Sequence, residues 1–143
     1  MFRFSLEPVL KVRSHEETLR KQALSREVGR RYDMVRLREQ VRSRLAEGLM
    51  EADSGRMGRI QDLQRVHAYG EEMRQKMIEL DRSLETQEIR VATEQARLTD
   101  ANRRRRVLEN LRDRQQEAYQ YEEEQQEQKG LDEVAARVMS TSL

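Results

Sequence analysis

Residues 63 to 98 read "LQRVHAYGEEMRQKMIELDRSLETQEIRVATEQARL". Within this stretch Leu63, Gly70, Met77, Leu84, Val91 and Leu98 recur every seven residues, and Val66, Met73 and Leu80 fall on an interleaved line that resumes at Ala101 and Leu108. Apolar positions spaced alternately three and four apart form the seam of a coiled coil, because 3.5 residues per turn keeps one narrow stripe of the helix facing its partner. The interleaved line turns polar at Gln87 and Glu94. A long helix with a partly polar seam needs a partner helix, and the first half of the chain is where to look for it.

That half is looser. Leu6, Val9 and Leu10 begin an apolar series, Leu24, Val28, Tyr32 and Val35 continue it, and Val41, Leu45 and Leu49 finish it, while "RSHEETLRKQA" in between is almost wholly polar. Between the halves lies "EADSGRMGR", where Ser54, Gly55 and Gly58 form the one dense interior cluster of helix-breaking residues. This spacing predicts an all-α fold, a long antiparallel two-helix coiled-coil hairpin with helices over about 5–52 and 59–139 and a turn over about 53–58. With the bend centred near residue 56, facing residues have numbers adding up to about 112. Leu49 then faces Leu63, Leu45 faces Val66 or His67, Val35 faces Met77 and Val28 faces Leu84. Gln87 and Glu94 fall opposite the weakly apolar segment near residues 17 to 25, so the weak stretches of the two helices coincide. Ser5 is placed to cap the first helix, Glu7 suits its dipole, and Pro8 is tolerated in a first turn whose amides need no intrahelical acceptor. Residue 108 pairs near residue 4, which leaves everything beyond about 112 as an overhanging helix.

Composition agrees. The chain of 143 residues is 38% charged with no Trp, two Phe and one Pro, and its mean hydropathy of -1.03 rules out an ordinary globular core. Its abundant residue types are tolerant of helix and those that favour strands are sparse. A net charge of only +1 suits solvated helix faces better than a uniformly basic nucleic-acid binder. No apolar run approaches the roughly 20 residues of a membrane span. The opening "MFRFSLEPVL" lacks the apolar region and cleavage site of a signal peptide, and the absence of cysteine removes disulfide and thiol chemistry, so the expected compartment is the cytoplasm.

Nothing in the sequence assembles a catalytic site. His15 and His67 are the only histidines and have no cysteine companions, and the acids beside His15 point in different helical directions, so no metal site is expected. "SGRMG" lacks the lysine and preceding strand of a phosphate-binding loop, and a two-helix hairpin has no concavity in which to desolvate a nucleophile or hold a cofactor. An enzyme is not expected. The sharpest charge feature is Arg103 to Arg106, which at 100° per residue is a collar around the helix rather than a stripe. Such a collar could grip phosphates, but no aromatic residues interleave for base stacking. Past the acidic run from Glu117 to Glu127, Leu131, Val134, Ala135 and Val138 share one helical face with no intramolecular partner left to cover it.

The opening "FRFSLEPVLKVR", the central hairpin and the close "LENLRDRQQEAYQYEEEQQEQKGLDEVAAR" together resemble, in order and spacing, the FliJ family of flagellar type III export proteins. The most specific parts are the aromatic-flanked start and the "EQKGLDEVA" close; the middle is generic coiled coil. The resemblance implies a soluble, non-enzymatic protein of the cytoplasm, peripherally associated with the inner-membrane export apparatus and similar to the central stalk of rotary ATPases. In that family the paired helix ends insert into the hexameric ring of the export ATPase, another part of the hairpin contacts the membrane-embedded export gate, and the protein escorts export chaperones. Carried onto this chain, the ATPase-ring contact falls on Asp113, Arg114, Gln115, Lys129, Leu131, Asp132, Glu133, Val134 and Val138. The export-gate contact falls on Leu45, Leu49, Tyr69 and Met73, with the Tyr69 ring exposed because it lies outside the heptad series. The free protein is expected to be a monomer with no cofactor and no nucleic acid bound. Two rival readings are a nucleic-acid-binding hairpin that uses the Arg103–Arg106 collar and a cytoskeletal coiled-coil scaffold.

Overall fold

The computed structural model describes residues 1–53 and 58–142, the side chains of residues 52 and 53 excepted. It is all-α, with two long helices packed against each other as a hairpin: α1 spans Glu7–Asp53 (47 residues) and α2 spans Ile60–Thr141 (82 residues). The bend expected over 53–58 falls mostly on residues 54–57, outside the described residues. Packing divides the chain into a terminal unit, Met1–Thr18 with Asp100–Leu143, and a central unit, Leu19–Thr99.

In the central unit the α2 face follows the heptad pattern. Gly70, Met73 and Gln87 are buried, and Val66, Met77, Leu80, Leu84, Val91, Glu94 and Leu98 are half-buried along the same stripe. Opposite them α1 turns in Leu24, Glu27, Met34, Val41, Leu45 and Gly48. This corrects the expected pairing, since Val28, Val35 and Leu49 remain 46%, 47% and 50% exposed. The reason is a polar one. Gln87 is 1% exposed, and a buried amide without a partner costs about 1–3 kcal/mol. Its Nε2 donates to the Glu27 backbone carbonyl at 2.9 Å and to the Glu27 carboxylate at 2.6 Å, which draws Glu27 rather than Val28 into the seam. Near the bend the Tyr69 ring lies over Gly48, 3.4 Å from where a Cβ would stand, so the small residue rather than Leu49 takes the inner position. Cross-helix ion pairs join Arg38 to Asp81 at 2.6 Å and Arg31 to Glu88 at 3.6 Å. Gln87 stands about half a turn, and Asp81 and Glu88 about two turns, further along α2 than a bend centred at 56 would place them.

In the terminal unit Phe4, Leu10 and Glu17 are buried on the first segment and Ala101 on α2, with Asn102, Arg105, Leu108 and Leu111 half-buried. Glu17 is 5% exposed and meets Arg105, which also reaches Glu109 at 2.6 Å, while Asn102 donates to Glu17 at 3.4 Å. The two carboxylates hold the Arg105 guanidinium above its ordinary pKa, the Glu17 hydrogen bond contributing most. α1 starts at Glu7 and not at Ser5: the Glu7 N–H bonds the Phe4 carbonyl at 3.2 Å and the Leu10 N–H bonds the Leu6 carbonyl at 2.9 Å, so a backbone turn does the work expected of the Ser5 hydroxyl.

The overhang also begins later than residue-for-residue pairing predicts. Residues 1–4 are not helical, and extended chain covers about 3.3 Å per residue against about 1.5 Å in a helix. A short non-helical segment therefore spans roughly twice its own length of α2. Phe2 reaches the Tyr119 ring at a centroid distance of 5.7 Å, and the Met1 amino group donates to the Tyr119 hydroxyl at 2.7 Å. A hydrogen bond to Glu123 raises the Tyr119 pKa above its ordinary value.

Candidate protein-docking end of the second helix

From Gln120 to Thr141 every residue of α2 is exposed, as is Ser142 after it. The segment is helical for local reasons, being made largely of Glu, Gln, Ala, Arg, Lys and Leu, which lose little side-chain freedom in a helix. Gly130 is the weakest former in it, and a Cβ there would meet nothing within 4 Å. At the end the hydroxyls of Ser140 and Thr141 turn back on the Arg137 carbonyl at 2.9 and 3.0 Å, and Ser142 closes on Met139 and Val138. Side chains thereby satisfy carbonyls that the last turn of a helix leaves without amide partners.

On this bare helix Leu131, Val134 and Val138 are 65%, 57% and 61% exposed, with Ala135 between them on the same face. Met139 at 71% widens the stripe. It was not among the expected contacts, although its place beside Val138 in an otherwise polar end was the available signal. Charged and polar side chains flank the stripe: Lys129, Asp132 and Glu133 are exposed, and Gln128 donates to Asp132 at 3.4 Å. The arrangement offers an apolar strip for burial and fixed charges for orientation, with no concavity for chemistry.

The expected contact residues form two groups rather than one. Asp113, Arg114 and Gln115 are exposed on α2, about 24 Å before the Lys129 end of the stripe at 1.5 Å per residue. Asp113 lies 3.6 Å from Arg112. Of the residues expected to face the export gate, Leu45 is half-buried against the seam, Leu49 is half-exposed, and Tyr69 is 38% exposed with one ring edge over Gly48. Met73 is 5% exposed and packed into the seam, so it has no surface to present to a partner.

The arginine collar is largely committed within the chain. Arg105 turns inward to Glu17 and Glu109, and Arg104 pairs with Asp100 at 3.1 Å, which leaves Arg103 and Arg106 as the exposed members with no ion pair among the described residues. Two separated guanidiniums are a weak phosphate grip. His15 and His67 are both exposed, and among the described residues no group of His, Asp and Glu could hold a metal ion. No helix, again among the described residues, is long and apolar enough to cross a membrane.

The family model described as Flagellar FliJ protein matches residues 2–143. The chain belongs to the FliJ family. No curated protein and no solved structure matches it. As a FliJ-family member it is a component of the flagellar export apparatus and a non-catalytic stalk protein.

Proposed function

We infer that this FliJ-family chain is the stalk and adaptor of flagellar type III protein export. The bare end of α2 enters the hexameric ring of the export ATPase, and the bend half of the hairpin faces the cytoplasmic domain of the export-gate membrane protein. Export chaperones are escorted along the hairpin. The protein acts in the cytoplasm, peripherally held at the inner-membrane apparatus, and is a monomer when free.

The observation that carries this reading is the stripe Leu131, Val134 and Val138, exposed on a helix that has outrun every intramolecular partner. Burying one such side chain is worth roughly 1.5–3 kcal/mol, which a partner surface covering the stripe would recover. Asp113, Arg114 and Gln115, with Lys129, Asp132 and Glu133, orient the stripe in the ring and contribute less to affinity. At the other end Leu49 and Tyr69 are the gate-facing contacts, with Leu45 supporting them from the seam.

Deletion of residues 129–143 tests the reading. Helicity per residue and melting temperature should barely change, while co-purification with the export ATPase, stimulation of its hydrolysis and flagellar motility fall together. Full binding and stimulation by the truncated protein would refute the terminal stripe as the ring contact. Salt-sensitive binding of the intact protein to a non-specific duplex, lost on Arg103→Ala with Arg106→Ala, would instead favour the nucleic-acid reading.

A further inference from the structure

Within the central unit α1 carries two seam-like faces, and the structure uses one. The occupied face holds Glu27, Met34, Val41 and Gly48 at seven-residue intervals beside Leu24 and Leu45. One residue on, at the same interval, stand Val28, Val35, Arg42 and Leu49. Three of these four are apolar, and all three are about half exposed. The unused face is therefore at least as apolar as the used one. Leu24 and Leu45 would serve either, since each lies between the two lines on the helix surface.

We propose that α1 has two seats on α2 within Leu19–Thr99: the observed one, and a second in which Val28, Val35, Arg42 and Leu49 replace Glu27, Met34, Val41 and Gly48 in the seam. Passage between them is a rotation of α1 by about 50°, half the angle between successive residues, with a slide of about one turn. In the second seat Val35 faces Met77 and Leu49 faces Leu63. Gly70, Met77 and Leu84 serve both, and Leu63, 51% exposed in the observed seat, joins them in the second.

Three contacts hold the first seat, and each is specific to it. Gln87 bonds the Glu27 carbonyl and carboxylate, the Tyr69 ring rests on Gly48, and Arg38 pairs with Asp81. Arg36 stacks over the Tyr32 ring at 5.8 Å and shields part of the unused face. A partner that covers Val28, Tyr32 and Val35 holds the hairpin in the first seat, and one that displaces Tyr69 from Gly48 favours the second, because a ligand shifts such an equilibrium only through its differential contacts. This proposal concerns the hairpin alone and stands whether or not the bare end of α2 enters an ATPase ring.

The chain has no cysteine, so paired cysteines report the seat directly. Val41→Cys with Leu80→Cys joins residues that line one groove in the observed seat, whereas Val35→Cys with Met77→Cys and Leu49→Cys with Leu63→Cys close a disulfide only in the second, given the narrow Cα separation a disulfide allows. Under mild oxidation the first pair should close fastest in the otherwise unaltered chain. Gln87→Leu removes the bonds to Glu27 and keeps the seam apolar, and should speed closure of both second-seat pairs by about tenfold or more while slowing the first. Gly48→Leu, which takes the place of the Tyr69 ring, should act the same way from the other end. If both second-seat pairs stay open in Gln87→Leu and in Gly48→Leu proteins that remain helical, the second seat does not exist.

Discussion

Replacing Arg105 with methionine removes a positive partner of the buried Glu17 while keeping most of the side-chain stem. Glu17 has 6% of its side chain exposed and Arg105 has 22%. Stripping one partner from a fully buried ion pair costs about 3–5 kcal/mol, because the remaining charge is left in a poor solvent. Here Asn102 still donates to Glu17 at 3.4 Å, and the partial exposure of Arg105 shows that water can approach the pair. About 2 kcal/mol is therefore the expected loss. The matched control is Arg104→Met, which breaks the pair with Asp100, whose side chains are 56% and 61% exposed; an exposed i,i+4 pair is worth about 0.5 kcal/mol or less. With a urea slope of about 2 kcal/mol per molar, Arg105→Met should lower the midpoint followed by circular dichroism by about 1 M and Arg104→Met by about 0.2 M. The double variant Glu17→Leu with Arg105→Met removes both charges and should recover most of the loss, since an apolar pair of similar volume replaces a buried ion pair at little cost. Equal midpoints for the two single arginine variants, or no recovery in the double variant, would refute the view that Glu17 is held by Arg105 in a desolvated seam.

Other outcomes follow from single contacts. Glu94→Leu should raise the melting temperature, by about 1 kcal/mol of stability, because Glu94 is half-buried in the seam with its Oε2 lacking a hydrogen bond and its partners Arg97 and Arg20 are exposed enough to be resolvated. Gly48→Ala places a methyl group in ordinary contact with the Tyr69 ring, and Gly29→Ala meets nothing within 4 Å, so each should stabilise α1 by up to about 1 kcal/mol through helix propensity, read from thermal or urea unfolding. In an alkaline titration followed at the tyrosinate absorbance, one of the four tyrosines should ionise late, and Tyr119→Phe should remove that component. The sign follows from a raised folded pKa: the Tyr119 contact is fully present below the ordinary tyrosine pKa of about 10 and is lost as pH rises through the folded value.

The two helices differed in how much of their packing could be read in advance. On α2 the inward face coincides with the apolar heptad line, so Met73, Met77, Leu80, Leu84, Val91, Leu98 and Ala101 were legible as a seam before any partner was known. On α1 it does not coincide, because the inward positions include Glu27 and Gly48, which no hydrophobic pattern selects, while Val28, Val35 and Leu49 lie one position outward. What decides between the lines is across the seam: an amide at Gln87 that needs an acceptor and an aromatic ring at Tyr69 that needs a small residue. Neither requirement is visible in α1 itself. The start of the overhang was misplaced for a metrical reason, since residues 1–4 leave the helix and so reach to Tyr119. The exposed stripe at Leu131, Val134 and Val138 was legible because nothing remained to cover it. Met139 lies one residue off the 131, 134, 138 spacing, so that periodicity does not select it.

The polar seam bears on how the hairpin finds one register. A seam repeated every seven residues with only apolar contacts would pack nearly as well after a slip of one heptad, because each apolar residue would meet another of similar size. Gln87 breaks that equivalence. Slipping by a heptad would remove Glu27 from opposite its amide and bring either Arg20, whose side chain accepts no hydrogen bond, or Met34, whose thioether accepts only weakly. The buried amide would then be left without its charged acceptor, at about 1–3 kcal/mol. Glu17 and Arg105 impose the same condition in the terminal unit, where a slip would bury a carboxylate away from its guanidinium. The polar seam residues thus cost stability relative to leucine and return a defined alignment. That alignment matters to a protein whose proposed working part is a bare length of helix, since a hairpin slipped by seven residues would cover or uncover about 10 Å of it.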